Sequence, residues 1–310
     1  MGAAAMHELL LRQAGFVPDR LLVRARSELA EGAVSRAAEV VLAEGSPPIT
    51  VDDLTVLSNA LGTPVGVRPE LERPPIPWRF QAAPPGLAAA TQGLTSALVA
   101  ALGAEPAVHG LWCAQRLPWE APDNAPSRLV YVVEADAGDL AGLTGRLQRA
   151  LAEAGDRMPL VEVVASGSEW PPYQRTARAY GVLTWAATPE PVITVAACAP
   201  ASDTLERADG VLAYLRAGTV LMRTTAKAID VVDADRGAVV PRNCRTDGRW
   251  IWTDEASYYL DRYGRAPDPG LLAHIAAADG PPPALDAVAV HRALARLREH
   301  RASDAEVEQS

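Results

Sequence analysis

Apolar residues recur at helical spacing over the first sixty positions, fall into near-continuous β-branched runs in the middle, and reappear as short alternating pieces towards the end. The spacing predicts helices over 7–14, 19–30 and 35–43, with Leu22, Ala25 and Leu29, then Val34, Ala38, Val41 and Leu42, on common faces. Gly15, Gly32 and Gly45 punctuate them. After Pro47-Pro48, Thr50 is placed to cap a further helix. Asp52 and Asp53 fall in its first turn, where the helix dipole favours negative charge. Leu54, Leu57 and Leu61 line one face and Gly62 closes it. No repeating period supports a solenoid.

The stretch 65–85 is dense in proline, which removes backbone donors and fixes φ, so neither a helix nor a central strand is expected there. It reads as a linker carrying the main domain boundary, with Ile76, Trp78 and Phe80 free to pack on a neighbour; Pro74 to Pro77 also spells a P-x-x-P pattern. An uncharged, alanine-rich helix over 87–102 is expected to be buried on most sides. There follow a strand over 108–114, a loop over 117–126, and a β-branched strand over 128–134 of the kind covered on both faces. Leu140, Leu143, Leu147 and Leu151 then line a helix over 139–154 that Gly155 ends. A buried-type strand (160–164), a helix capped by Ser168 and ended by Gly181, and strands over 182–186 and 192–197 complete the segment.

The strand Leu129 to Val133, the leucine-lined helix, Pro159 followed by Leu160-Val161-Glu162-Val163-Val164, and the helix ending at Tyr180-Gly181 form a pattern. In it, residues 108–185 resemble the C-terminal domain of the enhanced-serine-sensitivity protein B family. The resemblance implies a small α/β module that binds rather than catalyses, and it carries no catalytic residue.

Further on, a helix is expected over 203–216, short strands over 220–224 and 229–232, a turn at Asp235-Arg236-Gly237, and another strand start at Val239-Val240. Asp247-Gly248 is a tight-turn pair. It opens a strand with Trp250 and Trp252 on one side and Arg249 and Ile251 on the other. Thr253 is placed to cap a helix over 254–263, and Asp268-Pro269 to begin the next. This block, with its T-D-G-x-W-x-W turn before a tyrosine-rich helix, looks like a module of uncharacterised actinobacterial proteins. A last helix over 285–301 and a disordered acidic tail over 302–310 are expected. Together these readings predict an α+β protein: a helical N-terminal region (1–64), a linker (65–85), a central βαβ-containing sheet module (86–200), a smaller α+β module (201–280), and a terminal helix with its tail (281–310).

Composition narrows the function classes. The net charge of −9 argues against non-specific nucleic-acid binding and suits a basic protein partner. The arginines between Arg236 and Arg249 are interleaved with Asp247 and read as a mixed-charge face. No apolar run is long and clean enough to span a membrane. Lys227 is the only lysine, and the Arg-, Ala- and Gly-rich usage suggests a GC-rich bacterial genome. Cys113, Cys198 and Cys244 are odd in number and widely spaced, which fits a reducing cytoplasm. Cys113 and Cys198 sit in strand-like runs. Cys244, between Asn243 and Arg245, is the most reactive candidate.

No phosphate-binding loop, nucleophile elbow or metal-spaced histidine pair is present, so no cofactor or metal is expected. His7 and His300 lie near the termini, and His109 and His274 read as structural. Ser166-Gly167-Ser168 could present backbone N–H groups to an anion at a helix start. Asp230, Asp233 and Asp235 lack the glycine and terminal glutamate of a calcium loop. The most distinctive local feature is aromatic. Trp250, Trp252, Tyr258 and Tyr259, with Arg249, form a candidate anchor surface for a protein, or else the core of the C-terminal module. Trp170, Tyr173 and Tyr180 form a weaker set. The expectation is a non-enzymatic protein-binding or regulatory factor, of adaptor or toxin-neutralising type. The alternative is an enzyme whose cleft, between the central and C-terminal modules, gathers Asp233, Asp235, Asp247, Arg249 and His274.

Overall fold

In the computed structural model, which describes residues 2–43, 47–122, 125, 127–197, 203–205 and 208–308 (side chains to 302), the chain is α+β and forms two units, Met1–Thr188 and Pro189–Ser310. The boundary expected within 65–85 therefore falls inside the first unit.

The first unit opens with α1 (Gly2–Arg12), α2 (Asp19–Ala30), α3 (Val34–Leu42) and α4 (Val51–Leu61). Thr50 caps α4 as its sequence implies, in a reciprocal capping box with Asp53. The proline-rich stretch yields β1 (Trp78–Gln81), followed by α5 (Pro85–Ala90), α6 (Gln92–Leu102), β2 (Val108–Pro118), β3 (Arg128–Ala135), α7 (Leu140–Glu153), β4 (Val161–Ala165), α8 (Pro172–Tyr180) and β5 (Val182–Ala186). The sheet runs β1-β2-β3-β4, with β5 sharing the β1 edge of the long β2. The proline-rich stretch thus contributes a proline-free strand at the sheet edge. The loop expected from 117 starts later, because β2 pairs with β1 as far as Pro118.

Strand alternation splits the core. Leu111, Cys113, Tyr131, Val133, Val161 and Val163 face α6 and α7. Trp112, Val132 and Glu162 project to the other face, where Trp170 meets Trp112 edge-on at 6.0 Å and α8 packs on the sheet. The alanine-rich helix is not buried on most sides. It is divided at Thr91 into α5, which buries nothing, and α6, which buries only Leu98 and Leu102. Its alanines were a sign of composition, not of depth.

The helical N-terminal region belongs to this sheet because its polar groups are spent on it. β4 pairs only with β3, and its outer edge carries the carbonyl of Val163, to which His7 of α1 donates a hydrogen bond at 2.8 Å. Arg26 of α2 bonds Glu162 at 2.5 Å with both side chains 1% exposed, and Gln174 of α8 donates to the same carboxylate. A buried pair of this kind is costly to break from one side.

The second unit comprises β6 (Thr194–Val195), α9 (Asp209–Ala217), β7 (Thr219–Met222), β8 (Lys227–Ile229), a 3-10 turn (Ala234–Arg236), β9 (Ala238–Pro241), β10 (Cys244–Thr246), β11 (Trp250–Thr253), α10 (Asp254–Tyr263), α11 (Pro269–Ala276) and α12 (Ala287–Glu308). Its sheet, β6-β11-β10-β7, separates two small cores. Trp252 packs with Tyr214, Leu215, Leu260, Leu271 and Ile275 on one face, and Ile251 with Cys244, Ala293 and Leu297 of α12 on the other. Gly218 lets the Trp252 indole lie against the backbone: a Cβ there would meet the ring at 2.3 Å. The tail read as disordered is helical to Glu308. Cys244, expected to be reactive, is 1% exposed, and burial pushes the Cys113 thiol up to about 12, so both act as core residues. Cys198 lies outside the described residues. No helix of the described residues is long and apolar enough to cross a membrane.

Candidate functional site

The residues marked in the sequence as candidate site groups fall around two buried carboxylates of the second unit. The first is Asp230. Its Oδ2 accepts from the hydroxyls of Tyr258 (2.8 Å) and Tyr263 (2.6 Å), and its Oδ1 from the amides of Val232 and Asp233. Burial alone would push this carboxyl up; the two hydroxyls and two amides outweigh it and hold the group down at about 2. The Tyr259 hydroxyl accepts from the Val231 amide. The tyrosine cluster is therefore a clasp that ties α10 to the turn after β8. Asp233 and Asp235 are exposed on that turn. The described residues contain no group of histidine, cysteine or acidic side chains placed to hold a metal ion.

The second carboxylate is Asp247, in the Asp247-Gly248 turn between β10 and β11. Its Oδ1 accepts from the amides of Arg249 and Trp250 (2.9 and 2.7 Å), the self-bonding that aspartate makes in a turn. Its Oδ2 accepts from the Tyr214 hydroxyl (2.8 Å) and from His274 Nε2 (2.6 Å), which binds α9 and α11 to the turn. Burial favours the neutral acid, but these donors win and hold Asp247 below the ordinary carboxylate range. The Trp250 and Tyr214 rings sit 6.1 and 6.5 Å from the imidazole, so a half-exposed histidine is fixed from three directions. Asp247, His274 and Arg249 line one cavity of about 520 Å³, with Tyr214, Asp279, Pro281 and Pro283. Three of the five polar residues of the expected cleft thus come together, inside the second unit, while Asp233 and Asp235 belong to the Asp230 turn.

The aromatic anchor surface does not form. Trp252 and Tyr259 are 2% and 3% exposed, and Trp250 packs against the same core. Tyr258 is half-buried with its hydroxyl on Asp230. Arg249 alone of this set is exposed. The serine turn read as an anion site also dissolves. Ser168 does not cap α8, which starts at Pro172, and its hydroxyl donates to the Ala165 carbonyl while that of Ser166 donates to Glu134.

A groove in the first unit went unread. Phe16, Ile76, Trp170 and Tyr173 line a cavity of about 600 Å³ whose walls include Pro74, Pro75, Pro171 and Pro172. Trp170 is held by Trp112 on one side and by the Arg178 guanidinium, 4.3 Å from its ring. Tyr173 accepts a hydrogen bond from Arg116 and meets Phe80 edge-on. Gly15, at φ +87°, is required here because a Cβ would strike both the Tyr173 and Trp78 rings. Of the charged lining residues, Arg12 and Arg73 are bound to Asp53, whereas Glu8, Glu72 and Glu169 have no ion-pair partner among the described residues; Arg175 is the one basic side chain left exposed and unpaired there. The available signals were the P-x-x-P pattern and the Trp170-Pro171-Pro172-Tyr173 run, but nothing in the sequence says that they face each other.

No family model, no curated protein and no solved structure matches this chain.

Proposed function

We propose that this protein is a non-enzymatic protein-binding factor of regulatory type, an adaptor or a toxin-neutralising partner in a bacterial cytoplasm. In this reading the groove of the first unit captures a basic, extended segment of its partner. One observation carries the reading: an aromatic and proline wall, fixed from behind, bears three unpaired carboxylates against one unpaired arginine. Aromatic and proline walls suit an extended chain whose own prolines hold it in shape. Unpaired carboxylates on the rim select and steer a basic sequence. The sequence-level resemblance to a binding module accords with this, and so does the net charge of −9.

The test is fluorescence anisotropy with a labelled peptide alternating proline and arginine, against a proline–glutamate peptide and an arginine–glycine peptide. Glu72 and Glu169 are exposed and unpaired, so the double change Glu72→Lys with Glu169→Lys leaves the fold intact. It should weaken the proline–arginine peptide by about tenfold or more. Equal affinity for the three peptides, or no response to the charge reversal, refutes the reading.

A further inference from the structure

The second unit carries a separate site that does not depend on the groove. From the His274–Asp247 cavity we infer that it binds a small zwitterion, an aliphatic amino acid, with the ligand carboxylate on Arg249, the ligand ammonium on Asp279 and the side chain against Pro281, Pro283 and Ala278.

The inference rests on which side chains are spent and which are free. Asp247 is used up: both oxygens are saturated by internal donors and the group is 2% exposed. Its effect is to aim His274. With Nε2 committed to Asp247, the other ring nitrogen makes no hydrogen bond to a described residue, on a ring that also lines the cavity. Arg249 and Asp279 line the same cavity, are both exposed, and form no ion pair with any described residue. One cation and one anion on the same cavity match a ligand that carries both charges. They match a simple anion poorly, since Asp279 would repel it, and a simple cation poorly, since Arg249 would. Guanidinium forks pair well with carboxylates. Ala278, Pro281 and Pro283 supply an apolar stretch of the wall, which suits an aliphatic side chain.

The experiment is an NMR titration of the full chain, following the His274 imidazole and Trp250 indole signals. The probes are L-leucine and the two molecules that each lack one of its charges, 4-methylpentanoate and 3-methylbutylamine, with inorganic phosphate as a fourth. Saturable shifts with L-leucine, at least about tenfold weaker binding of both half-molecules, and loss of leucine binding in Arg249→Gln and in Asp279→Asn support the site. Asp279→Asn should spare 4-methylpentanoate, and Arg249→Gln should spare the amine. Both variants replace exposed residues without ion pairs, so unchanged circular dichroism and Tm are expected; a variant that unfolds is replaced by Arg249→Met or Asp279→Ser. Absence of a saturable leucine shift, binding of a half-molecule or of phosphate as tight as leucine, or leucine binding indifferent to either substitution would overturn the inference.

Discussion

The two units bury charge by different means. In the first, charged and polar side chains tie helices to a sheet across long sequence distances: Arg26 to Glu162, His7 to the Val163 carbonyl, Arg116 to Asp19. In the second, single carboxylates act as hubs for tyrosine hydroxyls and turn amides, as Asp230 and Asp247 do. An ion pair has two partners, and removing either strands the other. Asp230 and Asp247 spread their bonds over several donors, mostly neutral (Arg236 also pairs with Asp230), so no single donor is indispensable. The first unit is therefore brittle at a few positions, and the second degrades gradually.

The largest expected effect tests that brittleness. Glu162→Gln leaves the Arg26 guanidinium buried without its counter-charge and should cost about 3–5 kcal/mol by denaturant unfolding. Arg26→Met with Glu162→Leu should recover most of that, and a double variant as unstable as the single one would show that the pair is not what matters. Next comes pH. Burial pushes the His7 imidazole down to about 4. The unfolded chain takes up a proton near pH 6.5 that the folded chain refuses, so stability falls as pH drops from about 6.5 to 4 and levels off below. The loss is about 3 kcal/mol. Asp230, held at about 2, also loses its contribution on acidification, but in a lower window: the contribution is complete above about pH 4 and is lost only as pH falls towards 2. Hydrogen exchange resolved by region should show the first unit loosening before the second, and His7→Gln should remove the earlier step.

Smaller still is Gly218→Ala. Its methyl would meet the Trp252 ring at 2.3 Å. A cost of about 1–3 kcal/mol is expected, with an altered Trp252 environment in fluorescence. The smallest effect concerns binding. If the groove is the docking site, Trp250→Ala and Tyr258→Phe should leave the affinity for the proline–arginine peptide unchanged, and a loss comparable to that of the groove variant would return the binding surface to the aromatic cluster.

Local chemistry announced most elements. The Thr50 box, the Asp268 cap of α11, Gly62 and Gly264 in left-handed conformation, and the period of two that separates Trp252 from Ile251 follow from neighbours in sequence. Proline density at 65–85 was read as a boundary, although the stretch also contributes a proline-free edge strand. His7 was dismissed for lying near the terminus, yet its partner is Val163.

What the sequence by itself determined is therefore most of the α and β segments and several of their caps and inward faces, because these depend on residues within a turn or two of one another. Only the tertiary structure decided that the N-terminal helices close the edge of the first sheet. It also decided that the tryptophans and tyrosines of the second unit point inward, and that Phe16, Ile76 and Trp170 share a groove. These outcomes turn on contacts between residues far apart in the chain, where neither spacing nor composition says which side chain will meet a partner and which will be left facing solvent.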